Sequence, residues 1–263
     1  MSLNIMLYQP LFVIIIFSFG ACIGSFLNVC IYRIPRKKSI VFPGSFCPLC
    51  NTSIPFYLNI PILSYLLLKG KCRYCNAPIS FRYPLVEVLT GFAATALVLT
   101  FSLSMTALFW FIFISVLIII SFIDIDFQII PDIISLPGII MFASSSFFLS
   151  EISFKQTIAG IIVGGGSLYL IGLFYYLIRK QEGMGGGDVK LLAMIGAATG
   201  WKGVLFTAFT GSLFGTIAGI IIMITTKVAD IKLKIPFGPY LSSGAVIYIF
   251  FGHRLIAWYL NIY

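Results

Sequence analysis

Apolar runs of membrane length alternate with short polar breaks along most of the chain. The runs are Leu11–Ile31, Leu85–Phe101, Leu103–Ile123, Ile133–Leu149, Ile158–Ile178, Val189–Gly200, Val204–Thr225 and Tyr240–Ala257. A bilayer-spanning helix needs about 20 apolar residues. Most runs approach that length, whereas the sixth is short enough to be re-entrant. The pattern predicts an all-α polytopic membrane protein with about eight transmembrane helices. Glycine and proline inside several runs do not argue against this, because membrane helices tolerate both. One polar interval is long enough for a small module, Tyr32–Tyr83, and it predicts a compact loop domain.

Composition agrees with the pattern. Of 263 residues, 60% are hydrophobic and 10% charged, and the mean hydropathy is +1.07. An ordinary soluble domain is excluded. Charge adds the orientation. If the runs alternate, fourteen of the 17 lysines and arginines fall on one side, eight of them in the first loop. The positive-inside rule makes that side cytoplasmic and places both termini outside. The first run is expected to stay attached, since its positive charges follow it rather than precede it. The net charge of +9 suits anionic lipid beside the cytoplasmic loops and gives no reason to expect nucleic acid.

The first loop carries Cys47-Pro-Leu-Cys50 and Cys72-Arg-Tyr-Cys75. Two such knuckles suit a tetrahedral four-thiolate zinc site, structural because it leaves no open position. Disulfides, unbound thiols and an iron–sulfur cluster are the alternatives, and the cytoplasm disfavours disulfides. Some fifty residues build little core, so a metal would stabilise the loop. Cys22 and Cys30 read as small packing residues. Between the knuckles, the proline-broken segment from Ile54 to Tyr65 either packs on them or lies along the membrane surface.

The acidic residues are few, and their positions are informative. Asp124 closes the third run, with Asp126 two residues on, and Pro131-Asp132 opens the fourth. Proline and aspartate suit a helix start, which accounts for Asp132 structurally. The second segment is Gly183-Met-Gly-Gly-Gly-Asp188-Val-Lys190. Its glycines permit close backbone approach and deliver Asp188 to the start of the sixth run. It lacks the ending of a phosphate-binding loop. Lys190 is placed to neutralise Asp188 in a purely structural pair. The alternation of spans puts Asp124 and Asp188 at the same membrane level. Two carboxylates brought together there share a proton and can act as base and acid, the aspartic-protease arrangement.

The ordered motif set resembles the bacterial type IV prepilin peptidases, also called prepilin leader peptidase/N-methyltransferases, of the GxGD class of membrane aspartyl proteases. The resemblance covers nearly the whole chain. It runs through Gly24-Ser-Phe-Leu-Asn-Val29, Arg33, Pro35, the four cysteines, Asn59-Ile-Pro61, Gly70-Lys-Cys72, Arg82-Tyr-Pro-Leu-Val-Glu87, the two aspartate segments and Pro236-Phe-Gly-Pro239. Phe56 stands where the family usually has tryptophan. The resemblance implies that Asp124 and Asp188 are catalytic, with Gly185, Gly187, Lys190, Asp126 and Asp132 in support. It implies cleavage of the basic leader of type IV prepilins and type II secretion pseudopilins, typically between glycine and phenylalanine, at the cytoplasmic face of the bacterial inner membrane. N-methylation of the new terminus by S-adenosylmethionine follows in bifunctional members, which carry the cysteine loop. No dinucleotide-type fingerprint marks a cofactor site. Glu87, Asn28 and Arg33 are the candidates, with Glu87 equally open to a purely structural ion pair. No catalytic metal is expected.

The expected organisation is a first helix over 1–31, a four-cysteine module over 32–83 and a peptidase core over 84–263. Three other readings fit parts of the pattern. A transporter would want polar groups near the midplane. A zinc-bearing scaffold would tolerate loss of both aspartates. An intramembrane aspartyl peptidase of other substrates would not need the cysteine loop.

Overall fold

The structure, a computed structural model, describes residues 10–148, 152–180, 185–226 and 236–260. Gly183 and Met184 of the glycine segment, and Lys227, Lys232 and Lys234 of the charge argument, lie outside them. The regular secondary structure of the described residues is helical apart from two isolated β-bridges in the first loop. It forms two compact units, Met1–Ile119 and Ile120–Tyr263.

In the first unit, α1 (Pro10–Arg33) packs against α3 (Arg82–Phe101). Small residues let the two backbones touch. A Cβ on Gly20 would lie 2.7 Å from that of Ala94, and one on Gly24 would lie 2.7 Å from the Glu87 Cα. Membrane helices commonly associate through such small-residue faces. Phe17 and Phe92 meet edge-on at 5.3 Å beside this seam. The intervening loop holds a 3-10 turn at Phe56–Leu58 and the short helix α2 (Leu63–Leu67). In the segment from Ile54 to Tyr65, Ser64 is buried, while Phe56 is 88% exposed. α4 (Met105–Phe127) begins in this unit and ends in the next.

The second unit contains α5 (Asp132–Ala143), α6 (Ser145–Phe148), α7 (Phe154–Arg179), α8 (Gly186–Thr226), α9 (Gly238–Ile247), a π-helical turn (Tyr248–Gly252) and α10 (His253–Leu260). α8 is its centre and packs on α5, α7 and α9. It is broken at Gly200, whose φ of 70° and ψ of −179° lie in a region open essentially to glycine alone. A Cβ on Gly196 would lie 2.8 Å from Val204 Cγ2. Eight residues of straight helix would separate them by about 12 Å, so the chain folds back there. Residues 191–200 are all buried, which explains why this run is both short and apolar. Gly160 and Gly164 of α7 lie against its backbone at Gly196 and Leu192, where any side chain would collide.

Five of the described helices are long and apolar enough to cross a membrane: α1, α3, α4, α7 and α8. One expected span is shorter. The fourth run yields the 12-residue α5, with Pro137 inside it, and stops at Ser144. Serine hydroxyls there bond backbone carbonyls, Ser144 to Met141 and Ser146 to Ala143, competing with helix continuation. The last run is helical throughout, with α9, the π-helical turn and α10 following one another without a break.

Candidate functional site

The first unit carries two adjoining features. One is the cysteine cluster. The two knuckles repeat one local design. Cys47 N–H donates to Thr52 O and Asn51 N–H to Cys47 O; Cys72 N–H donates to Ala77 O and Asn76 N–H to Cys72 O. Asn51 and Asn76 take positive φ, 54° and 58°, which asparagine tolerates better than most residues. The four sulfurs lie within 4.8 Å of one another. Cys47 and Cys75 Sγ are 3.8 Å apart, far beyond a disulfide. Tetrahedral thiolates about 2.3 Å from a shared ion would be separated by about 3.8 Å. The local fields already favour thiolate at two positions. The Thr52 hydroxyl and amide bring Cys50 down to about 6, and the Cys75 and Tyr74 amides lower Cys72. At Cys75 the Ala77 amide pulls downward, yet burial and the neighbouring sulfurs push it up to about 11. The cluster can hold one metal ion.

The other feature is a cavity of about 470 Å³ between the loop and the ends of α1 and α3. Asn28, Arg33 and Glu87, chosen separately from the sequence, all line it. Their engagements differ. Arg33 is 5% exposed and donates to the carbonyls of Ser39, Pro43 and Gly44, so its guanidinium holds the loop. Glu87 Oε2 accepts the Ile62 N–H at 2.7 Å, and the Ser25 hydroxyl also bonds this carboxylate. Ile62 has φ 62° and ψ −51°, and Leu63 N–H reaches Pro61 O at 2.6 Å. This is a γ-turn of the rare positive-φ kind, strained for a β-branched residue. Asn28 donates through Nδ2 to Tyr83 O. Its Oδ1 is buried without a partner, in a side chain only 3% exposed. An unpaired buried acceptor beside a buried carboxylate suits a cationic or hydrogen-bond-donating ligand.

In the second unit, Asp124 occupies the last turn of α4 and is 5% exposed. A carboxylate at a helix C-terminus faces the negative end of the dipole. The compensation comes from α9: the Gly238 N–H donates to Asp124 Oδ2 at 2.8 Å. Asp188 sits in the first turn of α8, half-buried, where the dipole favours an anion. The charge of Asp124 is felt at Asp188, so the two segments are brought together. Gly187 helps join them: a Cβ there would lie 2.9 Å from that of Ile130, in the turn that follows α4. Gly186 faces open space, and a Cβ on Gly185 would meet nothing closer than Asp188 Oδ2 at 3.7 Å.

The other acids are sorted away from this pair. Asp126 is exposed, about 200° around the helix from Asp124. Asp132 is the first residue of α5, with Pro131 as its cap. Lys190 bonds Asp132 Oδ1 at 2.7 Å. The structural pair considered for Lys190 and Asp188 is therefore made with Asp132 instead. Three residues were absent from the sequence-derived site: Gly238, Ser25 and Ile62. Gly238 had a signal in Pro236-Phe-Gly-Pro239, since proline near the start of α9 marks a helix N-terminus. Nothing in the sequence marks Ile62.

The fold and site define a polytopic α-helical membrane protein with two carboxylates converging from separate helices and a metal-competent cysteine module. Residues 18–101 match the bacterial peptidase A24 N-terminal domain, and residues 111–220 match the type IV leader peptidase family. A prepilin leader peptidase/N-methyltransferase of Aeromonas hydrophila is 35% identical over 94% of this chain and 93% of its own length. The Neisseria gonorrhoeae protein of that name is 35% identical over 87% of each chain. The Myxococcus xanthus protein is 37% identical over 83% of this chain and 65% of its own. No solved structure shows a significant match. The chain belongs to the prepilin leader peptidase/N-methyltransferase family.

Proposed function

We propose that this protein of the bacterial inner membrane cleaves the basic leader from type IV prepilins and pseudopilins and then methylates the new N-terminal amine. Asp124 and Asp188 form the peptidase dyad. Water adds to the scissile carbonyl carbon as one carboxylate takes its proton and the other protonates the carbonyl oxygen. Collapse of the tetrahedral adduct breaks the C–N bond, and a proton passes to the leaving nitrogen. What supports this reading is that Asp124 and Asp188, at separate helix ends, lie within electrostatic reach of each other, and that Asp124 is buried and held by a backbone amide. Eight spans, with the dyad at the cytoplasmic rim, complete the topology. The basic leader then reaches an acidic rim while its apolar helix lies among the spans.

The first unit serves methylation. Zinc suits the four sulfurs by its preference for tetrahedral thiolates, and its role is structural. The cavity has the volume of an ordinary small-molecule site. S-adenosylmethionine supplies an electrophilic methyl group when bound there. Glu87 and Asn28 Oδ1 would face a cationic or amine group, while Arg33 shapes the loop wall. On this reading the module extends beyond residues 32–83 to include the ends of α1 and α3 that line the cavity.

The test is the purified protein in detergent, mixed with a prepilin with and without S-adenosylmethionine and followed by mass. Loss of the leader, then gain of one methyl group, is expected. An intact prepilin under both conditions overturns the reading.

A further inference from the structure

The dyad is held unequally. Asp124 is buried and receives a hydrogen bond from Gly238 at 2.8 Å, whereas the Asp188 carboxylate has none among the described residues. Gly238 is the first residue of α9, so its N–H is one of the donors that a helix leaves unpaired. That donor points at a carboxylate in the last turn of another helix, where the local dipole opposes negative charge. A Cβ at position 238 would lie 2.8 Å from Asp124 Oδ2 and 3.3 Å from its Cγ. No positive φ demands glycine there. The missing side chain is needed because the carboxylate occupies its place.

We infer that Gly238 is a positioning residue that fixes Asp124 as the ionised, water-activating member of the dyad, leaving Asp188 to donate the proton. The assignment rests on the dyad reading above. An amide donor stabilises the ionised carboxylate and fixes which oxygen remains free. Oδ2 is engaged with Gly238, which leaves Oδ1 to act on the water. Asp124 Oδ1 accepts a proton from water as the new C–O bond forms. Asp188 transfers its proton to the carbonyl oxygen. The two steps leave the pair with one proton, as it began.

The test uses the full-length protein in detergent and two changes at one position. Gly238→Ala adds a methyl where the carboxylate lies. Replacing residue 238 by glycolic acid in cell-free translation turns the amide into an ester and removes the donor without adding an atom. Each is expected to lower kcat for leader cleavage by about 10- to 100-fold, the value of a hydrogen bond to a charged group. KM should stay within about twofold, the signature of an interaction that counts in the transition state and not in substrate binding, and methylation of a pre-cleaved pilin should also stay within about twofold. Gly211→Ala is the control: it presses α9 at Leu241, 3.1 Å away, without reaching Asp124. Unchanged kcat in the ester variant overturns the inference, as does an equal loss in Gly211→Ala. Asp124→Asn and Asp188→Asn test the dyad itself. If both abolish cleavage while the ester variant cleaves normally, the positioning role alone falls.

Discussion

Glu87 and Asp124 are both buried carboxylates near the end of a membrane-length helix, yet they are secured in opposite ways. Glu87 holds a strained loop: its oxygens engage the Ile62 amide of a positive-φ turn and the Ser25 hydroxyl. Asp124 is itself held, by the first amide of a regular helix. A residue such as Ile62 in that conformation costs about 1–3 kcal/mol and persists only when its surroundings over-determine it. In the first unit the carboxylate is one of the groups that fix the loop, together with Arg33 and the cysteine cluster. In the second unit the backbone is fixed first, and the carboxylate is fitted to it. Function and folding should therefore be hard to separate in the first unit and easy in the second.

The sharpest way to break this contrast is at the dyad. Asp124→Asn and Asp188→Asn should each reduce cleavage by about 10²–10⁴-fold, the usual worth of acid–base groups. The asparagine oxygen at 124 still accepts the Gly238 N–H, so thermal stability and methylation of a pre-cleaved pilin should hold. A variant that loses both activities and melts early would show that Asp124 is part of the fold's support after all. Mass spectrometry and a melting curve measure all three.

Metal removal should act on the other unit. Structural zinc contributes about 10–16 kcal/mol in small zinc-bound peptides, so Cys72→Ser or prolonged chelation should disorder the loop and abolish methylation. Cleavage should fall less than about threefold, because Asp124, proposed for that step, is held by Gly238 within the second unit. Equal loss of both activities after chelation would end the idea of separate supports. Added zinc should restore methylation after chelation but not in the serine variant.

Glu87→Gln sharpens the comparison within the first unit. The amide oxygen still receives the Ile62 N–H, so the turn survives while the charge is lost. Methylation should fall by about tenfold, the scale of one charged hydrogen bond, and cleavage should not change. Glu87→Ala leaves the Ile62 amide without its acceptor and should lower stability as well. Identical stability in the two variants would mean that the carboxylate does not hold the turn.

The smallest effect is expected at the surface. The Lys190–Asp132 pair is substantially exposed, and exposed pairs contribute about 0.2–1 kcal/mol. Lys190→Ala should leave cleavage within about twofold at moderate salt. A loss above tenfold would place Lys190 in the peptidase chemistry rather than on Asp132.

Particular residues show which features are local. The cysteine knuckles were legible because ligand spacing is a property of a few adjacent residues. Their sulfurs do converge. The long spans were legible because apolar length is additive along the chain, and α1, α3, α4 and α7 follow the expected runs closely. The sixth run was ambiguous for the same reason. Its residues 191–200 are buried by other helices, and no count of apolar residues distinguishes burial in protein from burial in lipid. The break between the sixth and seventh runs was foreseen, and Gly200 supplies it through a conformation that other residues rarely adopt.

The sequence by itself determined that this is a helical membrane protein, that four cysteines can share an ion and that Asp124 and Asp188 were the acids to watch. The first two follow from residue type and spacing, and the third from the position of the aspartates at the ends of apolar runs together with the family resemblance. Partnership was decided only by the tertiary structure. It put Lys190 on Asp132, Arg33 on three loop carbonyls, Glu87 on a strained turn and Gly238 against Asp124. Gly238 stands 114 residues from its carboxylate. Hydrogen bonds act over about 3 Å, and only packing of α4 against the start of α9 brings such distant positions within that reach.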